Sequence, residues 1–386
     1  MPEAVIVDTV RTPIGRAFKG SLAQLRPDET GAYVLDRLLE RNEQVDPASV
    51  EEVYCGCGLP QGLQAFNIAR IMVLLSEKLP ISVNGTTISR YCASSLEAIR
   101  QAANAVATGQ GDVYIAAGVE WVSRYNEATE GARSQDQNEN LQGKDGQPDV
   151  YISMGMTAEN VAEKYEISRS DMDKYAQRSQ ELSVQSQENG FFDREIVPVT
   201  VNGNEVAKDD GPRPSSTLEK LAQLEPAFKE GGKVTAGNSC PLNDGAAAVL
   251  VTSAEKAGEL GLQPRARIIT AATAALEPEI MGVAPIGAIK KVLDRAGMTI
   301  QDVDTVELNE AFAAQVIPIM DACDIPLEKL NPHGGAIALG HPFGMTGARI
   351  MATLLNGLET DDKTIGLETM CVAQGQGEAM IVERLN

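Results

Sequence analysis

The sequence is poor in basic and in aromatic side chains, and each shortage bears on the class of protein. Lys and Arg together number 33 against 54 Asp and Glu, which gives a formal net charge of -21 at pH 7. A field of that sign repels nucleic acid and anionic membrane surfaces. Aromatic residues make up 4% of the 386 residues, whereas hydrophobic residues as a whole reach 43%. Length and composition therefore predict two ordinary cores built on Ala, Val, Ile and Leu.

Long apolar runs and a disulfide framework are missing as well. No stretch approaches the roughly 20 apolar residues that cross a bilayer. The chain enters a strand directly, without the basic region of a signal peptide. The cysteines are scattered, unlike the dense spacing of secreted disulfide scaffolds. They are Cys55, Cys57, Cys92, Cys240, Cys323 and Cys371. We therefore expect no membrane insertion and a reducing, bacterial-type cytoplasmic location.

Histidine is scarce, and both histidines lie in the glycine-rich stretch 331–347. A base that works near neutral pH is therefore to be sought there first. Pro342 fixes its own φ and keeps His341 extended, which predicts a tight turn. Thr346 can cap the helix that follows, so His341 should lie just ahead of a helix N-terminus. A purely structural turn histidine is the alternative, and we assign that role to His333.

A second candidate is Cys92, which lies just before Ser94-x-x-Glu97, a capping-box pattern. The helix that follows should end at Gly109. A thiol at a helix N-terminus feels the positive end of the dipole, which predicts a lowered pKa and an available thiolate. An inert buried cysteine is the alternative reading.

Two further segments decide between these alternatives: residues 307–312, Glu-Leu-Asn-Glu-Ala-Phe, and residues 370–377, Met-Cys-Val-Ala-Gln-Gly-Gln-Gly. Together with the segments around Cys92 and His341, they resemble the thiolase family. The branch most similar is the one that cleaves or joins 3-oxoacyl-CoA thioesters. The resemblance extends over essentially the whole chain, and the order of Asn-Glu-Ala-Phe and Gly-His-Pro between two cysteines is highly specific.

The resemblance implies a role for each catalytic residue. Cys92 would take the acyl group while His341 removes the thiol proton. Cys371 would protonate the enolate of acetyl-CoA and then deprotonate incoming CoA. Asn309 would hold a water that, with an N–H of His341, stabilises the enolate oxygen. The backbone N–H groups of Cys92 and Ala373 would stabilise the tetrahedral intermediate.

The resemblance also implies contacts to CoA, which is a substrate; no cofactor is expected. Arg213 matches a position that reaches the nucleotide phosphates, Lys220 an adenine contact, and Met154 the wall of the pantetheine channel. Cys240 replaces a serine that would give a polar contact to pantetheine. Ser153 replaces a histidine that is frequent in biosynthetic members, which favours the degradative branch with longer acyl chains.

The pattern of apolar residues predicts an α/β fold with an internal duplication. A strand, a helix and a strand over residues 4–10, 30–40 and 50–56 form a crossover unit. The same order recurs over residues 266–271, 285–295 and 303–308. We expect two mixed sheets that pack around shared helices, so that Cys92 and His341 meet at a pseudo-twofold junction. The resemblance implies thiolase-like duplicated halves in a layered α/β/α/β/α arrangement with an inserted loop domain.

Three segments are expected along the chain. Residues 1–120 form the N-terminal half, residues 121–250 a loop or lid insertion plus the return of that half, and residues 251–386 the C-terminal half. Residues 126–150 are nearly free of apolar groups and should be a surface loop.

The predicted function is that of an acetyl-CoA C-acyltransferase (3-ketoacyl-CoA thiolase) of the fatty-acid β-oxidation type, acting as a homodimer or homotetramer. One alternative is a biosynthetic thiolase that condenses two acetyl-CoA, and another is a non-catalytic acyl-CoA or lipid-binding protein of the same fold. Zinc on Cys92, His341 and Cys371 is the remaining possibility, but a Cys-x-x-Cys spacing is absent, so no metal is expected.

Overall fold

A mixed β-sheet organises the computed structural model, which describes residues 2–124 and 137–386. Its order is β10-β11-β12-β9-β1-β8-β5-β3-β4, with β2 paired to β8, while β6 and β7 form a separate hairpin. The strands are β1 (Ala4–Arg11), β2 (Gly15–Arg16), β3 (Glu52–Gly56), β4 (Asn84–Ile88), β5 (Val113–Trp121), β6 (Val199–Val201), β7 (Asn204–Val206), β8 (Asn243–Ser253), β9 (Ala266–Ala275), β10 (Thr305–Leu308), β11 (Ile365–Val372) and β12 (Gln376–Arg384).

The helices begin and end on conventional signals in several places. Pro27 opens α1, with acidic residues in the first turn, and Gly297 ends α8 in the left-handed conformation. The helices are α1 (Pro27–Arg41), α2 (Ile68–Leu75), α3 (Ser94–Ala107), α4 (Met154–Lys164), α5 (Arg169–Glu188), α6 (Leu218–Ala222), α7 (Ala254–Leu260), α8 (Pro285–Ala296), α9 (Ala313–Ala322), α10 (Ala336–Leu339) and α11 (Thr346–Thr360). None of those in the described ranges is long and apolar enough to cross a membrane.

The expected internal duplication is visible in the sheet. The orders β3-β5-β8-β1 and β10-β11-β12-β9 share one pattern, a parallel pair followed by two antiparallel pairs. The crossover helices α1 and α8 occupy equivalent places in the chain. The two sheets are not separate, however, because β1 and β9 pair through Val5 with Arg267 and Ile6 with Ala266. This short ladder satisfies backbone groups that two free edges would leave unpaired.

Three apolar clusters establish the layered arrangement. In β5, Ile115 packs with α1 and α2, whereas Ala116 on the opposite face packs with α3 and α11. In β12, Ile381 packs with α8 and α9, whereas Met380 joins the central cluster. Because strand side chains alternate between faces, each sheet unit is covered on both sides. The five layers follow as α/β/α/β/α, with α3 and α11 in the middle.

The N-termini of α3 and α11 meet closely in this central layer. A Cβ at Gly347 would lie 2.3 Å from the backbone nitrogen of Leu96. The N–H of Ala348 donates to Oγ of Ser95 at 2.9 Å, which joins the first turns of the two helices. The chain segments that enter these helices carry Cys92 and are therefore brought to the segment that carries His341.

The insertion packs onto the C-terminal half. Side chains of α4, α5 and α6 belong to the same apolar cluster as α8 and α9. Of the predicted loop 126–150, residues 126–136 lie outside the described residues. Residues 137–150 contain two short 3-10 turns, Glu139–Leu141 and Lys144–Gly146, and no longer element. The proposed division at residues 120 and 250 stays a prediction.

Replacement of Gly347 by Ala should destabilise the protein by about 1–3 kcal/mol, because the new methyl group meets backbone rather than a movable side chain. The matched control is Gly258→Ala in α7, where a Cβ would have open space; it should stabilise by about 0.5–1 kcal/mol. Denaturant unfolding monitored by circular dichroism measures both. Equal stability of the two variants would contradict the close helix crossing.

Candidate active site

The imidazole of His341 is held in one tautomer by its neighbours. The Thr346 hydroxyl donates its only proton to the carbonyl oxygen of Pro342 at 2.7 Å. The same Oγ1 lies 2.6 Å from Nδ1 of His341, so it accepts there, and Nδ1 carries the imidazole proton. Nε2 keeps its lone pair, to which Nδ2 of Asn309 donates at 3.3 Å. His341 thus presents an unprotonated nitrogen, as a general base must.

Burial keeps this imidazole neutral. His341 is 1% exposed, and its backbone N–H donates to Oδ1 of Asn243 at 3.0 Å. Burial, and after it the charge of Arg349, lowers the pKa of His341 to about 3. At neutral pH the ring therefore accepts a proton only when a negative charge forms beside it.

The prediction that Thr346 caps α11 is wrong. Met345 holds the cap position, and Thr346 is the first residue of the helix. Its hydroxyl is already engaged with Pro342 and His341. The residue serves the catalytic ring rather than the helix end. His333, the other histidine, stacks on Phe191 with ring centroids 3.7 Å apart.

Cys92 lies in a tight 3-10 turn, Tyr91–Ala93, that leads into α3. Tyr91 has φ at 45°, a conformation that is uncommon for a bulky residue and marks strain beside a functional group. The expected capping box is not formed, because Ala93 holds the cap position without a side-chain bond. Ser94 instead donates to the carbonyl oxygen of Tyr91 at 2.6 Å and so fixes the turn.

The predicted lowering of the Cys92 pKa is also wrong. Burial raises the pKa of this thiol well above its ordinary value. Cys371, Cys240 and Glu120 oppose the thiolate further, in that order. The helix dipole is worth at most about 2 kcal/mol and does not overcome this desolvation. Cys92 is therefore a thiol, not a thiolate, at neutral pH.

Cys371 lies at the end of β11, fully buried. Nε2 of Gln315 in α9 donates to its Sγ at 3.0 Å, which favours the thiolate. Burial outweighs that bond and raises the pKa of Cys371 to about 11. Cys240, half-buried ahead of β8, interacts electrostatically with Cys371 as well as with Cys92. The three thiols therefore lie in one region of the protein. Among the described residues, no group of three or more His, Cys, Asp or Glu side chains is arranged so that it could hold a metal ion.

Asn309 and Glu310 follow β10 directly and are fixed by different partners. The backbone N–H of Asn309 donates to the carbonyl oxygen of Thr369 at 3.0 Å. Its Oδ1 is buried and meets no donor among the described residues, so it is available to water or substrate. Glu310 accepts from the hydroxyls of Tyr175 at 2.7 Å and Ser179 at 2.6 Å, both on α5.

A cleft of about 460 Å³ opens at Cys92. Met154, Ser153 and Ala373 are among the residues that line it; their roles toward substrate stay predictions. Ala373 is not among the residues with positive φ, although the next residue, Gln374, has φ at 67°. The remaining lining residues are mostly apolar: Leu59, Tyr91, Val150, Tyr151, Ile152, Phe343 and Gln374. No cationic side chain of the described chain lines this space.

A second cleft of about 260 Å³ holds two of the expected CoA contacts. Arg213 and Lys220 line it together with Gly237 and Pro241. Both cations are exposed. The N–H of Arg213 donates to Oε1 of Gln180 on α5 at 2.8 Å, which fixes the loop that carries it. Pro241 follows Cys240, so this cleft lies beside the segment that faces the thiols.

Sequence reasoning missed four residues that act on the catalytic groups: Asn243, Glu120, Gln315 and Thr346 in its actual role. Gln315 lies three residues after the Asn-Glu-Ala-Phe motif, in the first turn of α9. Its closeness to that motif along the chain could have marked it as a candidate site residue. Glu120 and Asn243 lie in strands far along the chain from His341. No local pattern marks them.

Comparison with known proteins matches both halves of the chain. The family model described as thiolase, N-terminal domain, matches residues 4–255, and the model described as thiolase, C-terminal domain, matches residues 262–384. A beta-ketoadipyl-CoA thiolase of Pseudomonas aeruginosa is 43% identical, with 99% of each chain covered. A 3-ketoacyl-CoA thiolase of Idiomarina loihiensis is 42% identical, with 100% of each covered. The dimeric peroxisomal thiolase of Saccharomyces cerevisiae superimposes with a TM-score of 0.93 at 37% identity, covering 100% of this chain and 98% of that one.

The rate at which iodoacetamide alkylates Cys92 should rise about tenfold per pH unit between about pH 6 and pH 9, without levelling off. The reason is that only the thiolate reacts and the pKa of Cys92 lies above its ordinary value. Mass spectrometry of the labelled peptide measures the rate. Cys92→Ser should lose this label and keep the others. A plateau below about pH 8 would contradict the raised pKa.

Proposed function

The chain belongs to the thiolase family and is a thiolase-type acyltransferase; from this we propose that it cleaves 3-oxoacyl-CoA with CoA into acetyl-CoA and a shortened acyl-CoA. The observation that carries the proposal is the tautomer of His341. Because Thr346 fixes the proton on Nδ1, Nε2 is unprotonated, and its lone pair, which accepts from Asn309, can take the proton of a buried thiol. A protein that only bound acyl-CoA would need neither this base nor a second cysteine at the site.

In the first half-reaction Nε2 of His341 takes the proton from Sγ of Cys92. The thiolate attacks C3 of the 3-oxoacyl group, the bond between C2 and C3 breaks, and its electron pair passes to the enolate of acetyl-CoA. The new Nε2–H donates to the enolate oxygen, together with a water held by Asn309. Sγ–H of Cys371 then gives its proton to C2, which completes acetyl-CoA.

In the second half-reaction the thiolate of Cys371 takes the proton of incoming CoA. The CoA sulfur attacks the acyl carbon on Cys92, and the tetrahedral oxyanion accepts from the backbone N–H groups of Cys92 and Ala373. Donors of this kind supply about 3–4 kcal/mol each. Cys92 leaves as a thiolate and recovers its proton from His341, so the enzyme returns to its starting protonation.

We assign an uncharged acyl chain to the cleft at Cys92. Its walls in the described chain are mostly apolar and carry no cation. A terminal carboxylate, which the name of the Pseudomonas aeruginosa relative implies for its own substrate, would be buried there without a counter-charge. Ser153, where a histidine is frequent in biosynthetic relatives, favours degradation over condensation of two acetyl-CoA. The CoA nucleotide would lie over Arg213 and Lys220.

We further propose a homodimer that works in the cytoplasm in fatty-acid β-oxidation. The edge strand β4 has an unpaired side in the described sheet. Phe66 is 92% exposed and Ile81 is 74% exposed on the segments that flank α2 near β4. A sheet edge beside exposed apolar side chains is a surface for a second copy. All six cysteines are free thiols, in keeping with a reducing compartment.

A medium-chain substrate such as 3-oxodecanoyl-CoA should be cleaved with a kcat/KM at least equal to that for acetoacetyl-CoA. The kcat/KM for 3-oxoadipyl-CoA should be at least about tenfold lower, because its carboxylate meets no cation in the acyl cleft. Loss of the enolate absorbance on addition of CoA measures each rate. A preference confined to the four-carbon substrate would reverse the degradative assignment, and a preference for 3-oxoadipyl-CoA would refute the uncharged chain.

Replacement of Cys371 by Ala should lower turnover about 10²- to 10⁴-fold, because it removes an acid-base catalyst but not the nucleophile. Incubation with acetyl-CoA should still acetylate Cys92, although slowly. Exchange of the acetyl-CoA methyl hydrogens with deuterated water should be lost. Mass spectrometry reads both from one sample, and Cys92→Ser, which should not be acetylated, is the control. Native deuterium exchange in the Cys371 variant would show that the roles are divided wrongly.

A further inference from the structure

A buried carboxylate beside the site, Glu120, ties separate segments of the chain together. It lies near the end of β5 and is fully buried. Its Oε2 accepts from the N–H groups of Gly58 at 2.7 Å and Gly344 at 2.8 Å. Its Oε1 accepts from the N–H of Leu59 at 3.3 Å and from Nε2 of Gln64. Four donors therefore converge on one side chain, from the segment after β3 and from the His341 loop.

The segments that Glu120 joins form two walls of the cleft at Cys92. Leu59 and Phe343 both line that cleft and pack in one small apolar cluster. A Cβ at Gly58 would lie 2.7 Å from Oε2 of Glu120 and 2.8 Å from Cβ of Phe343. The Glu120 carboxylate and the lack of a side chain at Gly58 together determine how closely the two walls of the cleft approach each other.

Glu120 also interacts electrostatically with Cys92. Burial is the largest cause of the raised pKa of the Cys92 thiol. Among the described groups, Cys371 on β11, Cys240 ahead of β8 and Glu120 on β5 raise it further. Glu120 also interacts electrostatically with Cys55 on β3 and with Cys57, the residue that follows β3. Burial raises the pKa of Glu120 to about 7, and the hydrogen bonds from Gly344, Gln64 and Gly58 oppose that rise.

We propose that Glu120 is a positioning residue of the thiolase reaction: its hydrogen bonds to both walls space Leu59 and Phe343 around the acyl group, and its charge is one of those that oppose the Cys92 thiolate. The first role rests on the proposed function, whereas the second can be measured without it. A carboxylate suits this place because it has acceptor oxygens only. A glutamine has one oxygen and would turn its NH₂ toward two of the four donors.

Glu120→Gln keeps the size of the side chain and removes its charge. We expect kcat/KM for a medium-chain 3-oxoacyl-CoA to fall about 10- to 100-fold, because the walls of the cleft move apart. The pH profile of Cys92 alkylation should shift toward lower pH, because a negative charge that opposes the thiolate is gone. General loosening of the fold would hydrate Cys92 and could also move that profile, but it would lower the unfolding temperature at the same time, so thermal unfolding separates the two effects.

Gly58→Ala is the complementary variant, since its methyl group crowds both Phe343 and Oε2 of Glu120 but keeps the charge of the carboxylate. It should lower kcat/KM and leave the alkylation profile unchanged. Asp36→Asn is the matched control: Asp36 is a buried carboxylate on α1 that accepts from the N–H groups of Glu77 at 2.9 Å and Lys78 at 3.2 Å. It should change neither readout. Thermal unfolding of each variant measures the loss of stability separately.

A native alkylation profile in a folded Glu120→Gln variant, or native kcat/KM in that variant, overturns the proposal. If Glu120→Gln does not fold, Gln64→Leu takes its place, because it removes one donor to the carboxylate and the bond to the carbonyl oxygen of Leu59. A fall in kcat/KM that grows with acyl length then supports the proposal, and an unchanged value overturns it. Absence of thiolysis in the native protein would refute the proposed function, while the alkylation profiles would still test the effect of Glu120 on Cys92.

Discussion

Burial of the catalytic groups is the constraint on which the rest of the site depends. Cys92 and Cys371 carry raised pKa values and His341 a lowered one, each chiefly because desolvation disfavours the charged form. A thiolate or an imidazolium alone would have a high free energy in this buried place. A proton that moves from the thiol to the imidazole creates two opposite charges at once, and in a medium of low dielectric constant they stabilise each other strongly. In the mechanism that we propose, Cys92 is therefore activated together with His341, not in advance.

Such a pair works only if its members are held closely, and the backbone provides much of that precision. The first turns of α3 and α11 are in contact where Gly347 meets Leu96. The turn that carries Cys92 and the loop that carries His341, which lead into these helices, therefore lie next to each other. The pseudo-twofold arrangement of the two sheet units explains why both catalytic residues precede a central helix. Thr346 then fixes the ring itself, because its hydroxyl leaves His341 one tautomer.

The elements and the duplication could be predicted from sequence because each depends on local periodicity and on turn residues. The motifs likewise identified Cys92, Asn309, His341 and Cys371 in their segments. The state of these groups could not be predicted in the same way. The helix dipole is readable from neighbouring residues, but the burial that outweighs it at Cys92 comes from β11, β5 and the segment ahead of β8. The partners Glu120 and Gln315 reach the site through tertiary contacts that no spacing reveals.

One helix, α5, contacts both the loop that carries Arg213 and the segment that carries Asn309 and Glu310. At one place along α5, Gln180 accepts from the backbone of Arg213 and so holds the loop beside the cleft. Within about one and a half turns toward the N-terminus of the same helix, the hydroxyls of Ser179 and Tyr175 donate to Glu310, the residue after Asn309. A helix is stiff over this distance because its own hydrogen bonds fix it. The loop of Arg213 and the segment that carries Asn309 are therefore fixed to one rigid element, the first through Gln180 and the second through Glu310.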